Sequence, residues 1–591
     1  MHPELGRMVG VERGTGGRVV QFRAVPFASV PARFRQSVLV HSFADSDGDF
    51  TRYGAICPQV YNSNFQDGKA YGNVPLPPAR HIYDDLKCVN MTLTIPKIAL
   101  ELDGAAKIPI MVWLHGGGLK VGGGANTGLE DCTRLVDTSI EMGRPIMTCA
   151  VQYRLGAFGF LSSRELFAEA AALKEPASNF GVWDSINGFE WIQQHGAGFG
   201  GDVDNVTAFG ESAGAILLSY MIVCDITPSP RPWFRRAILQ SGDASTISCT
   251  TVSEEQGAFD TLYRRTVSAW PFVTMGQNRV DALREVKADA IANASGISPM
   301  LLHPVVDGYL FKTAYSLEDV CRRTHECAWL ESFMTGDCEF EGTVFLNLYD
   351  SVLEKVTNPN YVFASQISKM FGAAQAARLP EFLRAYELDV YATLAVSKAA
   401  TYLSALVLAA RKLVVTVLPA SAEHRLRVAH FLGALFFHSH TYLLARWGEQ
   451  HAPDFSADDD TGKHATPAYY YHFDKRNPFG DEMYHGYSHH FVDVLYLFGN
   501  VDERIATLPG VDVQFEAATS RSMARKWIEY GYGEEPWPSA LVGVLGHEGV
   551  GGEREGSWVV MSEDEDARVH SRRLAAWRAI LFGADGVDGT V

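Results

Sequence analysis

The chain has 591 residues, 47% of them hydrophobic and 20% charged, with a formal net charge of -18 at pH 7. This is the balance of a folded globular protein with a sizeable buried core, which excludes a disordered or fibrous chain. The acidic excess argues against nucleic acid or an anionic membrane as a partner, because either needs a basic footprint.

The first stretch, "MHPELGRMVGVERGTGGRVVQF", holds no apolar run of the kind that directs secretion. The expected setting is therefore cytoplasmic, or secreted if a leader has been trimmed away. Short apolar runs alternating with turn residues follow, "GRVVQFRAVPFASV" and then "CVNMTLTIP", and they predict an antiparallel meander. From "IPIMVWLHGGG" onward the texture changes to strand, glycine-rich turn and helix. "RPIMTCAVQYRLG" predicts a strand, "SINGFEWIQQHG" a helix, "NVTAFG" a strand, "SAGAILLSYMIV" a helix and "RRAILQSG" a strand. That alternation predicts an α/β fold with a large, mostly parallel central sheet and helices on both faces.

Residues 245–300 and 350–470 read as helical insertions over this core. Within the second, "LAVSKAATYLSALVLAARKLVVTVL" is interrupted by Lys398, Arg411 and Lys412, leaving 12 uncharged residues, too few to span a bilayer. No repeat and no long linker divides the chain, so one large domain over 1–591 is expected, its catalytic core at about 8–500.

The nine cysteines form no C-x-x-C pair, which argues against a zinc ribbon or a dense disulfide framework. His485 and His489 stand four apart, a spacing that suits a metal on a helix, but no acidic ligand motif accompanies them. No metal and no cofactor is expected.

The segment that carries chemistry is "FGESAG", residues 209–214. A strand-like run precedes it and an apolar helix follows, so Ser212 is expected on a sharp strand-to-helix turn, with Gly210 and Gly214 small because strand and helix approach closely there. The helix N-terminus favours negative charge developing at the same point. Upstream, "MVWLHGGGLKVGGG" places bare glycine backbone at a strand end. The N–H groups of Gly117, Gly118 and Ala213 are the candidate oxyanion hole.

Longer stretches then match together: "FRAVPFA", "YGAICPQ", "VQYRLGAFGFLSS", "SNFGVWDSINGFEWIQQHGAGFGGDVDNVTAFGESAG", "AILQSG" and "PVVDGYLF". With them most of residues 8–500 resembles the type-B carboxylesterases, the branch of the α/β-hydrolases that holds cholinesterases and fungal lipases. The resemblance implies the α/β-hydrolase fold and a serine, acid, histidine order along the chain. "SFMTGDCEFEGTVF" is similar to the family's acid motif and implies Glu341, five residues after Gly336, with Glu339 as a neighbour of the same type. "YHGYSHHFVDVLYLFG" offers His485, His489 and His490; the family's distance to a closing Phe-Gly implies His490, with His489 second.

Cys57 and Cys88 match a family disulfide, but Leu86 and Lys87 replace the acidic pair that usually precedes the second cysteine. The expected partner of Arg154 is therefore shifted to Asp84 or Asp85, or absent. Residues 58–87, polar and proline-rich, carry no apolar stripe of a lipase lid. Lys120, just after the oxyanion glycines, reads either as a gorge residue favouring a polar substrate or as a lysine reaching to solvent. The expected function is a serine esterase acting through an acyl-enzyme on small soluble esters. A lipase, an acyltransferase with the same triad, and a non-catalytic binding protein are the alternatives.

Overall fold

The computed structural model describes residues 2–43, 47–60, 81–102, 106–267, 278–296, 302–344, 422–451, 465–479, 485–546, 558–570 and Trp577. Eleven strands among these residues form one mixed sheet. In chain order they are β1 (Val11–Arg13), β2 (Val19–Val25), β3 (Met91–Pro96), β4 (Ile108–Leu114), β5 (Met147–Val151), β6 (Gly201–Glu211), β7 (Arg236–Gln240), β8 (Ser332–Cys338), β9 (Ala468–Phe473), β10 (Val542–Leu545) and β11 (Trp558–Met561). Across the sheet the order is β1-β2-β3-β5-β4-β6-β7-β8-β9-β10-β11.

The first three strands pair antiparallel, as the alternating opening runs predict, and β3 pairs antiparallel with β5. The strands from β5 to β10 then run parallel, and β11 closes the far edge antiparallel. Strand order reverses where β4 and β5 exchange places, and β6 lies next to β4. Open α/β sheets bind ligands at the carboxyl ends of strands near such a reversal.

The parallel strands are apolar on both sides because helices cover both faces. In β4, Ile110, Val112 and Leu114 join one core, while Met111 and Trp113 join the other. The first core takes α1 (Phe180–His195), α2 (Ala213–Val223) and α3 (Ser439–Gln450); the second takes α4 (Val492–Phe498) and α5 (Val513–Gly531). Every residue of α2 is buried. A helix apolar all round belongs inside the protein, and "AILLSYMIV" is such a sequence.

Helices at Val252–Val267, Arg279–Glu285 and Ala288–Gly296 occupy the first expected insertion. Residues 345–421, which hold most of the second and the rejected membrane span, lie outside the described residues. So do residues 61–80, the centre of the segment compared with a lipase lid. Among the described residues no helix is long and apolar enough to cross a membrane.

Arg154 finds a partner that the sequence reading did not consider. It meets Asp184 of α1, Nε to Oδ2 at 2.7 Å and Nη2 to Oδ1 at 2.8 Å, with both side chains buried. Asp85 instead holds Arg33 at 2.6 Å, and Asp84 accepts the backbone N–H groups of Leu86 and Lys87. The Arg154 guanidinium also donates to the Arg35 carbonyl at 2.7 Å, tying the stretch between β2 and β3 to α1. Arg154→Met leaves the Asp184 carboxylate buried without its counter-charge. It is expected to cost about 3–5 kcal/mol, read as a lowered urea midpoint. An unchanged midpoint contradicts that expectation.

Candidate active site

Ser212 sits between β6 and α2 with φ 51° and ψ -120°, outside the regions that an L-residue prefers. The strain is held because strand and helix pinch the turn from both sides. A Cβ on Gly214 would lie 2.0 Å from the Leu114 carbonyl oxygen, and one on Gly210 would lie 2.8 Å from the Gly214 carbonyl carbon. The Ser212 N–H donates to the Gln240 carbonyl at 2.8 Å, which fastens the turn to β7. Ser212 stays partly accessible while Gly210, Glu211, Ala213 and Gly214 are buried.

The first bond of α2 runs from the Ile216 N–H to the Ser212 carbonyl, so the Ala213 N–H belongs to the helix's unfilled first turn. Gly117 and Gly118, in the loop after β4, have φ of 106° and 61°. A Cβ on Gly117 would meet the Val121 carbonyl oxygen at 2.0 Å. Gly117→Ala is expected to displace this loop and lower turnover about a hundredfold to a thousandfold, the usual cost of one oxyanion donor. Steady-state kinetics on a p-nitrophenyl ester checks it, and wild-type turnover contradicts it.

Glu341 and His490 are brought together from distant segments. Glu341 follows β8 and is fully buried; its Oε2 pairs with His490 Nδ1. Its Oε1 accepts from Ser241 Oγ at 2.6 Å and from the Cys338 N–H at 2.7 Å. His490 precedes α4, and the Phe437 ring lies 4.8 Å from its imidazole. His489 points elsewhere: its Nδ1 contacts the His490 carbonyl and its Nε2 contacts Asn477. Glu339 uses its backbone N–H to bind Phe473 and stays half-buried. Among the described residues no third metal ligand joins His485 and His489.

Two acids near His490 escaped the sequence reading. The second ring nitrogen of His490, Nε2, lies 3.0 Å from Oε1 of Glu211, the residue just before Ser212. Burial pushes the Glu211 carboxyl well above the usual carboxylate range, and the charges of Asp493, Glu341 and Glu130 add to it. Asp493, three residues after His490, accepts from Gln240 Nε2 at 2.8 Å, and burial raises its pKa to about 6. Burial also lifts Glu130 to about 8. The imidazole edge that carries Nε2 thus lies against the residue that immediately precedes Ser212. Its place inside "GESAG" was the available signal; Asp493 and Ser241 gave none, since each acts through a partner remote in sequence.

The model of the family described as "Carboxylesterase family" matches residues 2–566. The chain belongs to the carboxylesterase family. Among its relatives, Lipase 3 of Yarrowia lipolytica is 31% identical over 249 residues, covering 42% of this chain and 46% of that protein. The inactive carboxylesterase-like protein VdtD of Byssochlamys spectabilis is 30% identical over 322 residues, covering 52% of this chain and 48% of that one. The chain thus spans about half the length of the curated relatives it matches. A solved PNB esterase superposes with a TM-score of 0.62 at 19% identity, covering 96% of this chain and 99% of its own. That likeness carries the α/β-hydrolase fold.

Two further positions bear on how this carboxylesterase-family site is built. Cys57 and Cys88 are buried free thiols lying side by side, and a hydrogen bond from Cys57 raises the Cys88 thiol well above its ordinary value. Lys120 is accessible to solvent, yet desolvation lowers its pKa.

Proposed function

We propose that the chain is a serine carboxylic-ester hydrolase with Ser212 as nucleophile, His490 as general base and Glu341 as the acid that orients it. The observation that carries this reading is the His490–Glu341 pair, with Nε2 3.0 Å from Glu211, the residue just before Ser212 on its strained turn. Ser212 Oγ attacks the ester carbonyl while His490 Nε2 takes its proton; the imidazolium then returns it to the leaving alcohol. Glu341 holds the Nδ1 proton, which keeps Nε2 free to act, and stabilises the imidazolium without taking the proton itself. The N–H groups of Gly117, Gly118 and Ala213 receive the oxyanion. Water repeats the cycle on the acyl-enzyme and releases the acid.

The substrate proposed is a small soluble ester, with no nucleic acid partner and one catalytic domain over the whole chain. Family membership alone does not decide activity, since VdtD is named an inactive carboxylesterase-like protein; the retained triad residues favour catalysis. A cytoplasmic setting belongs to the same proposal.

The test is hydrolysis of p-nitrophenyl esters from acetate to palmitate, beside tributyrin taken through its solubility limit. The expected result is an optimum at short chains and no rise in rate as the emulsion forms. A jump at the emulsion overturns the soluble-ester reading in favour of a lipase. Ester rather than acid as the product when a primary alcohol is added favours an acyltransferase.

A further inference from the structure

Far along the sheet from Ser212, on β9 and the chain that packs over its end, two histidines and two aspartates converge. His472 lies in β9 and Asp474 directly follows it; Asp566 lies in α6 (Glu563–Val569), and His570 follows that helix one turn on. His472 Nδ1 is 3.0 Å from Asp566 Oδ1, and His570 Nδ1 is 2.8 Å from the same oxygen. His570 Nε2 is 3.2 Å from Asp474 Oδ2. The His472 and Asp566 side chains are buried, and only 3% of the His570 side chain and 18% of the Asp474 side chain is exposed. None of these residues has a place in the ester chemistry.

We propose that His472, Asp566 and His570, with Asp474 beside them, form a binding site for one divalent metal ion of the zinc class. Two arguments support it. The first is donor chemistry: imidazole nitrogen with carboxylate oxygen is a set that zinc accepts, and neither magnesium nor calcium prefers the nitrogens. The second is geometry. One potential ligand atom from each of His472, Asp566 and His570 lies within 4.8 Å of the others. Bonds of about 2.0–2.1 Å in a tetrahedral shell put ligand atoms about 3.3 Å apart, so the 2.8 and 3.0 Å contacts need widening by only a few tenths of an ångström.

Because Asp566 of α6 reaches His472 of β9, a bound ion also fastens α6 to the sheet. The site differs from the rejected His485 and His489 pair, and its ligands stand as H-x-D and D-x-x-x-H, far apart in sequence.

The test is titration of the full-length, chelator-treated protein with Zn²⁺ and with Co²⁺ as a spectroscopic probe. The expected result is one equivalent of Zn²⁺ held per chain, tetrahedral Co²⁺ absorption without sulfur charge transfer, and a higher melting temperature with Zn²⁺. In His570→Gln and in Asp566→Asn, affinity is expected to fall more than about a hundredfold, beyond the loss typical of an outer-shell partner. If either variant fails to fold, the wild-type Co²⁺ spectrum still decides, since a six-coordinate or sulfur-bound spectrum rejects this site. No saturable binding, or one-equivalent binding retained in the two variants, overturns the proposal and leaves the four residues as a hydrogen-bonded clamp.

Discussion

Ser212→Ala is expected to lower kcat on p-nitrophenyl esters by about 10⁴- to 10⁶-fold, leave KM nearly unchanged and abolish the pre-steady-state burst. The magnitude follows from the turn. Ser212 is held at φ 51° by close approaches at Gly210 and Gly214, so the substitution leaves the turn in place. Alanine keeps the backbone conformation and removes only Oγ, so the fold and the oxyanion donors should remain. Residual turnover then measures what those donors and binding achieve without a nucleophile. A loss smaller than tenfold would mean that the burst arises elsewhere, and it would remove Ser212 from the reaction.

Glu341→Gln is expected to lower kcat about 10⁴-fold with a stable fold, for a reason that lies in the hydrogen bonds of this one carboxylate. Its Oε1 accepts from both Ser241 Oγ and the Cys338 N–H. In glutamine the carbonyl oxygen must take that side, because it alone can accept both, and the amide NH₂ then faces His490 Nδ1. Nδ1 becomes an acceptor, the imidazole proton moves to Nε2, and the base can no longer receive the Ser212 proton. Double substitution with Ser241→Ala relaxes the preference for one amide orientation and should restore part of the rate. Steady-state kinetics on the single and double variants, with near-UV circular dichroism as the fold control, distinguishes this from simple unfolding. Wild-type kcat in Glu341→Gln contradicts the assignment of the acid.

Much of this arrangement was legible in the sequence, because the relevant signals were local. β6, α2 and β7 follow from "NVTAFG", "SAGAILLSYMIV" and "RRAILQSG", whose apolar runs match burial on both faces of a parallel sheet. The glycines around Ser212 were explained by close approach, and the Leu114 carbonyl is the group they approach. Glu341 and His490 came from motif spacing carried by resemblance, and the structure pairs these two and turns His489 away.

Long-range pairing was less legible. Arg154 was matched with acids nearby in sequence, whereas its partner is Asp184, placed opposite by the packing of α1. Glu211 lies against His490, Ser241 donates to Glu341 and Asp493 accepts from Gln240, contacts made by the fold that no spacing rule expresses. The His472, Asp474, Asp566 and His570 cluster depends on how α6 packs beside β9, so the separate motifs carry no visible meaning.

The most direct measurement is labelling of the wild-type protein with a fluorophosphonate, followed by peptide mapping by mass spectrometry. A nucleophilic Ser212 predicts one adduct per chain, on that residue, with hydrolytic activity lost in proportion to labelling. An adduct on another residue, or full labelling of Ser212 with activity intact, contradicts its role.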